Sequence, residues 1–192
     1  MMTEEYRERD GRRVWLTRAE YQSLLATDAL EEPRRQVAAR LAGECGLRTG
    51  EVVDVRPDHT YSDDVAGLFL QVPEGKGDKL REVPIPKGLK DLLDSLGYGQ
   101  EADRLVDVST RSLRNWMSEA RDELLDDDER WQFVTFHDLR RSWAGWLASD
   151  EVELGVGIRW GGWNDLETAM NHYRSRATAK AQAREREKVP WL

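Results

Sequence analysis

Phe136-His137-Asp138-Leu139-Arg140-Arg141-Ser142-Trp143-Ala144-Gly145-Trp146-Leu147 combines a core period with a reactive pair. Leu139, Trp143, Trp146 and Leu147 recur at three- and four-residue spacing, which predicts a helix from Phe136 to Asp150 with that stripe turned inward. His137 and Arg140 lie three apart and share a face of such a helix. Imidazole exchanges a proton near neutral pH and a guanidinium grips oxyanions with two N–H groups, so the pair suits phosphate handling. A partly buried histidine beside a salt-bridged arginine fits the same residues.

The chain around this helix is mostly helical by pattern. Thr17 and Glu20 form a capping box ahead of Tyr21, Leu24 and Leu25, predicting a helix to about Asp28. Pro33 opens the next helix, where Val37, Leu41 and Cys45 repeat every four residues up to Gly46. A sharp turn then leads into a short helix bearing Val52, Val53 and Val55. Residues 58–64 read as a turn, 65–72 as a strand and 80–85 as its hairpin partner, with Gly75 and Gly77 in the connection. Helices follow over 86–96, from a Ser109 or Thr110 cap with Leu113, Trp116, Met117, Ala120 and Leu124 inward, over 165–173, and over the Ala-rich segment 177–188. Residues 1–13 are almost all polar and read as a loosely docked lead-in. The expected fold class is therefore α+β, mainly helical, with one small antiparallel sheet packed on helices.

The chain has 192 residues, 39% of them hydrophobic and 34% charged, enough for one domain with tails. No apolar run approaches the roughly 20 residues of a membrane span, and the start shows no export signal, which points to the cytosol. One cysteine and three histidines leave no cysteine-built zinc site, so no metal or cofactor is expected. The formal charge of −8 speaks against nucleic acid at first sight, yet a basic face can coexist with an acidic remainder. An acidic surface would also suit a salt-adapted cytoplasm.

Two further stretches carry possible chemistry. In Cys45-Gly46-Leu47-Arg48-Thr49-Gly50-Glu51 an arginine sits between two glycines at a helix corner, placed to point into a cleft. Taken alone these residues favour a surface arginine at a turn, paired with Glu51, and a helix-turn-helix over residues 35–55 is a further alternative. In Trp160-Gly161-Gly162-Trp163, followed by Tyr173, a glycine pair permits close packing, Trp163 offers one indole N–H, and the tyrosine ends a helix.

In the order arginine, hairpin lysine, His-x-x-Arg, Gly-Trp and tyrosine, these motifs resemble the catalytic domain of the tyrosine recombinases, the phage-type integrases. Arg48 matches the first arginine. Lys76, in Gly75-Lys76-Gly77-Asp78-Lys79-Leu80-Arg81-Glu82-Val83-Pro84, matches the hairpin lysine. His137 and Arg140 match the His-x-x-Arg box, Gly162-Trp163 the Gly-His/Trp box in its Trp form, and Tyr173 the nucleophile. The resemblance implies a catalytic domain over residues 16–175, after a lead-in of residues 1–15 and before a tail helix, residues 176–192, that contacts another protomer or folds back. It implies site-specific cleavage and rejoining of double-stranded DNA through a 3′-phosphotyrosine, without metal or ATP, by a dimer of dimers or tetramer on DNA. Arg48, Arg140 and Trp163 would hold the phosphate, Lys76 or Lys79 would protonate the leaving oxygen, and His137 would manage the Tyr173 proton. Glu51 would orient Arg48 or His137, while Lys79, Arg111, Arg114 and Arg141 would touch DNA. The similarity extends to integrases of archaeal viruses, plasmids and proviruses, implying a halophilic host and a nucleoid-associated location.

Two departures accompany the match. Tyr173 lies one residue farther from Trp163 than the family spacing. The N-terminal clamp domain usual in the family has no counterpart in residues 1–15, so an accessory factor would replace it, or the chain is a fragment or a remnant that has lost exchange. A non-catalytic helix-turn-helix regulator and a type IB topoisomerase-like relaxing enzyme are the competing readings.

Overall fold

The structure, a computed structural model, describes residues 1–6, 10–73, 80–97, 103–163, 170, 186–189 and 191. Its centre is the helix read first from the sequence. This helix spans Phe136–Ser149, and Phe136, Leu139, Trp143 and Ala144 are buried along it. A helix over Pro33–Glu44 packs beside it, burying Val37, Ala38, Leu41 and Ala42. In chain order the helices are α1 (Arg18–Leu25), α2 (Pro33–Glu44), α3 (Thr49–Val52), α4 (Lys87–Gly97), α5 (Thr110–Asp122), α6 (Phe136–Ser149) and α7 (Leu154–Gly161). The Thr17–Glu20 capping box and the Ser109 cap form as their sequences predict. On α5, Leu113, Met117 and Ala120 are buried. Trp116 and Leu124 lie partly buried against the core, as do Trp146 and Leu147 of α6.

The lead-in departs from expectation. Strands β1 (Met2–Glu5) and β2 (Arg12–Trp15) pair antiparallel, with Met2 opposite Trp15. Polar composition hid an attachment that runs largely through the backbone. The Val14 amide donates to the Asp138 carboxylate at 3.0 Å, and the Leu16 amide donates to the Ser142 hydroxyl at 2.8 Å. The Trp146 indole N–H donates to the Leu16 carbonyl at 2.9 Å. Hence residues 14–16 are fixed along the side of α6, and their side chains are buried.

The second sheet has three strands, not two. Strands β3 (Thr60–Asp63), β4 (Gly67–Pro73) and β5 (Leu80–Pro84) run in the order β3-β4-β5, all antiparallel, with Leu70 opposite Val83. Residues 60–63 were expected in a turn because they carry no apolar alternation. They form an edge strand, where one face is solvated and alternation is not required. Tyr61 stacks on its partner Phe69 with centroids 5.8 Å apart. The strand β5 packs on α7, which brings the sheet against the end of the molecule where α3, α6 and α7 meet. Among the described residues no helix is long and apolar enough to cross a membrane. The expected helices over 165–173 and 177–188 fall almost wholly outside the described residues.

Candidate active site

Arg48 stands at the start of α3, and the shape of that turn sets its reach. Gly46, just before it, has φ +65°, and a Cβ there would overlap the Trp143 ring. Only glycine both adopts that backbone angle and lets the ring pass so closely. The chain turns at once, and Glu51, three residues after Arg48, folds back onto it. Glu51 accepts from the Arg48 amide at 2.6 Å and from its guanidinium at 2.7 Å. The other guanidinium arm donates to the Gly162 carbonyl at 3.0 Å. Arg48 remains 45% exposed, so its outer edge faces solvent.

Arg140 arrives from α6 and is almost completely buried. One arm donates to the Gly46 carbonyl, and the other donates to the Gly161 carbonyl at 2.5 Å. Its guanidinium lies 5.4 Å from the centre of the Trp163 ring, which in turn packs on Trp143 at 6.0 Å. The two arginines are 92 residues apart in sequence, yet they grip consecutive carbonyls, Gly161 and Gly162, immediately before Trp163. The Gly161-Gly162 pair permits this. A Cβ on Gly161 would collide with the Trp163 ring, and Gly162 caps α7 with left-handed φ 59°.

A third arginine completes the cluster. Arg81 on β5 is 6% exposed and forms two parallel bonds with Glu51, each 2.7 Å, while its Nε donates to the Trp160 carbonyl at 3.0 Å. Sequence reading passed over Arg81. The period-two alternation of β5 places it on the same face as buried Val83 and puts Leu80, 67% exposed, outside. That alternation was the available signal, and it was masked by the expectation that leucine goes in and arginine out.

The electrostatics follow from three guanidinium groups around one carboxylate. Burial alone would raise the Glu51 carboxyl, but the bonds from Arg81 and then Arg48 outweigh it and hold the group at about 2. Burial pulls Arg140 down to about 9, and the nearby charges of Arg48 and Arg81 push the same way against Glu51. Arg140 is still cationic at neutral pH, and its two hydrogen-bond acceptors are neutral carbonyls. Among the described residues the cluster thus sets three guanidinium groups against one carboxylate, and an anion would relieve the excess positive charge.

The other sequence-predicted residues divide clearly. His137 is exposed on the first turn of α6. Trp163 is buried against Arg140 and Trp143. Arg111 and Arg114 are exposed on α5 and form no ion pair with any described residue. Lys76, Lys79 and Tyr173 lie outside the described residues. Arg141 is a correction, since it does not face outward to DNA. It is buried in an ion pair with Asp138 and lies 5.5 Å from the Trp15 ring centre, held on the side of α6 that binds β2. The helix-turn-helix reading also fails on geometry. The second helix would be α3, a single turn of four residues whose Val52 is core. Among the described residues no cluster of His, Cys, Asp and Glu could hold a metal ion.

The fold is shared with solved recombinases. The XerA recombinase aligns with a TM-score of 0.68 and 18% identity, covering 91% of this chain and 63% of that one. The Tn1549 transposon integrase, solved with a circular intermediate DNA, gives 0.67 and 15%, covering 92% and 66%. The catalytic domain of bacteriophage HP1 integrase gives 0.63 and 20%, covering 89% and 94%. The chain therefore spans about two thirds of the solved XerA and Tn1549 integrase chains but nearly all of an isolated catalytic domain. No curated protein matches it in sequence. The profile of the phage integrase family matches residues 14–180, most of the length, and the chain belongs to that family.

Proposed function

We propose that this chain cuts and rejoins DNA at specific sites as a tyrosine recombinase. One observation carries the reading: Arg48 and Arg140 meet at the consecutive carbonyls of Gly161 and Gly162 in a cluster with surplus positive charge. A phosphodiester in transit gathers charge on its non-bridging oxygens, and fixed guanidinium groups stabilise that charge more than the ground state. Arg48, with its open edge, would meet the phosphate first. Arg140, clamped by two carbonyls and a ring, would be preorganised behind it. Trp163 would add an indole N–H.

The phenol of Tyr173 would attack phosphorus. The bond to the 5′ oxygen would break, and a 3′-phosphotyrosine would store the energy for rejoining. Lys76 or Lys79 would protonate the departing 5′ oxygen, and His137 would take and return the Tyr173 proton. Arg111 and Arg114 would bind backbone phosphates outside the centre. Two or more copies on double-stranded DNA would exchange strands. A soluble cytoplasmic, nucleoid-associated setting and a provirus in a halophilic archaeon complete the reading.

The test is a pool of end-labelled duplexes of varied sequence, each nicked so that cleavage traps the enzyme, run on a denaturing gel. A protein–DNA band should form in EDTA and vanish with Tyr173→Phe. A band lost only with Tyr61→Phe or Tyr98→Phe would move the nucleophile. Relaxation of supercoiled DNA of any sequence by a monomer would favour the topoisomerase-like reading.

A further inference from the structure

Arg81 has no part in the phosphoryl-transfer scheme above, yet it is the most buried of the charged partners of Glu51 apart from Arg140. We propose that Arg81 is a positioning residue: by occupying both oxygens of Glu51, it keeps that carboxylate off Arg140 and leaves Arg140 for a phosphodiester. The inference rests on the recombinase reading and adds to it a residue acting through another.

The distances carry the argument. Arg81 holds Glu51 Oε1 and Oε2 at 2.7 Å each, whereas Arg140 Nη1 stands 4.0 Å from Oε2, beyond hydrogen-bond range. A carboxylate and a phosphate compete for the same fork of N–H donors. With Arg81 gone, Glu51 would be the nearest anion to Arg140 and would draw it from the Gly46 and Gly161 carbonyls. Arg81 is itself fixed from the far side by the Trp160 carbonyl, so the clamp on Glu51 ties β5 to the end of α7. The charged groups facing Glu51 are Arg48 from its own helix, Arg81 from β5 and Arg140 from α6; at this point α7 contributes carbonyls.

The experiment measures single-turnover cleavage of the nicked duplex pool by the full chain. Wild-type protein must first give the Tyr173-dependent band; its absence would strike the recombinase reading and not this one. Arg81→Gln should then slow cleavage on the order of a hundredfold, the scale of a small misplacement of a reacting-site group. Adding Glu51→Gln should restore about tenfold or more of that loss, because the competing charge is gone. A crystal structure of Arg81→Gln should show Arg140 within about 3 Å of Glu51. Should Arg81→Gln not fold, Arg81→Lys, which leaves one Glu51 oxygen free, should give a smaller loss with the same rescue. A double variant no faster than the single, or Arg140 still on its glycine carbonyls in the single, would overturn the proposal and make Arg81 either a direct phosphate contact or a purely structural pair.

Discussion

Arg140 and Arg141 are neighbours on α6, almost equally buried, and they point about 100° apart to different sides of the helix, where they act in different ways. Arg141 meets a carboxylate, Asp138, which also holds the Val14 amide and the Thr135 amide and hydroxyl. Arg140 meets carbonyls and an indole face, with its nearest carboxylate already taken by Arg81. A buried cation that is neutralised acts as an attachment between segments. A buried cation given only dipoles keeps its charge available to a ligand. The sides of α6 thus separate architecture from chemistry by the kind of acceptor each arginine finds, not by depth.

The largest expected effects come from exchanging those fates. Arg140→Lys keeps a charge but loses the planar fork, and cleavage should fall by roughly a hundred- to a thousandfold, as for removal of one fixed donor to a transition-state oxyanion. Its melting temperature should change little by comparison. Arg141→Met should do the reverse. It strands Asp138 as a buried charge, costing about 3 kcal/mol. That is on the order of 10 °C for a chain of this size, while cleavage measured below the transition survives. Calorimetry and the suicide-substrate assay on both variants decide the matter. A cleavage-dead but fully stable Arg141→Met would abolish the distinction.

The two carboxylates sharpen the same contrast through pH. Glu51 is held at about 2 against an ordinary 4.5, so its ion pairs contribute stability that is complete above about pH 4.5 and is lost as pH falls toward 2. The drop from 4.5 to about 2 corresponds to about 3 kcal/mol. Denaturant unfolding of wild type and Glu51→Gln across this window should show the acid limb of the wild type shallower in the variant. The two curves should draw together near pH 2. Parallel curves would mean that Glu51 is not held by Arg81 and Arg48.

A smaller effect is expected at Gly161, whose carbonyl Arg140 holds. Gly161→Ala inserts a Cβ into the Trp163 ring, and overpacking of this kind costs about 1–3 kcal/mol. The ring must move, and Arg140 stacks on it, so cleavage should drop by about tenfold with DNA affinity nearly kept. Trp163 fluorescence and the cleavage rate should shift together; a rate change without a change around the indole would mean that the glycine acts elsewhere.

What sequence made legible was decided by whether a residue's neighbours lie nearby in the chain. Arg48 with Glu51, and His137 with Arg140, are three apart, so helical spacing announced them before any packing was known. The α5 core face and the caps at Thr17 and Ser109 are likewise local. Arg81 went unread and Arg141 was assigned to DNA because a strand arginine and a helix arginine are expected outside; the Glu51 that holds Arg81 is 30 residues away, and although Asp138 lies three residues from Arg141, the Trp15 ring that covers it comes from the N-terminal end. The same holds for β2 and β3. Both are four residues long, too short to show a period, and what fixes them is backbone bonding, of β3 to the neighbouring β4 and of residues 14 and 16 to α6, which leaves no trace in side-chain pattern. Tyr173 and Lys76 were assigned as motif members alone and lie outside the described residues.

The least disruptive test acts at the α6 start, on the structural side. The Thr135 hydroxyl donates to Asp138 at 2.5 Å, one of several donors to that carboxylate. Thr135→Val keeps the shape and removes the bond, so about 1 kcal/mol should be lost. Asp138 retains Arg141, the Val14 amide and the Thr135 amide, so no buried charge is stranded. The cost should therefore stay well below that of Arg141→Met, and it should add to the Gly161→Ala loss without coupling, because one change lies on the β2 side of α6 and the other against Trp163. Coupling beyond about 0.5 kcal/mol between these two substitutions would show that α6 transmits strain from one side to the other, and that attachment and chemistry are not separable in this helix.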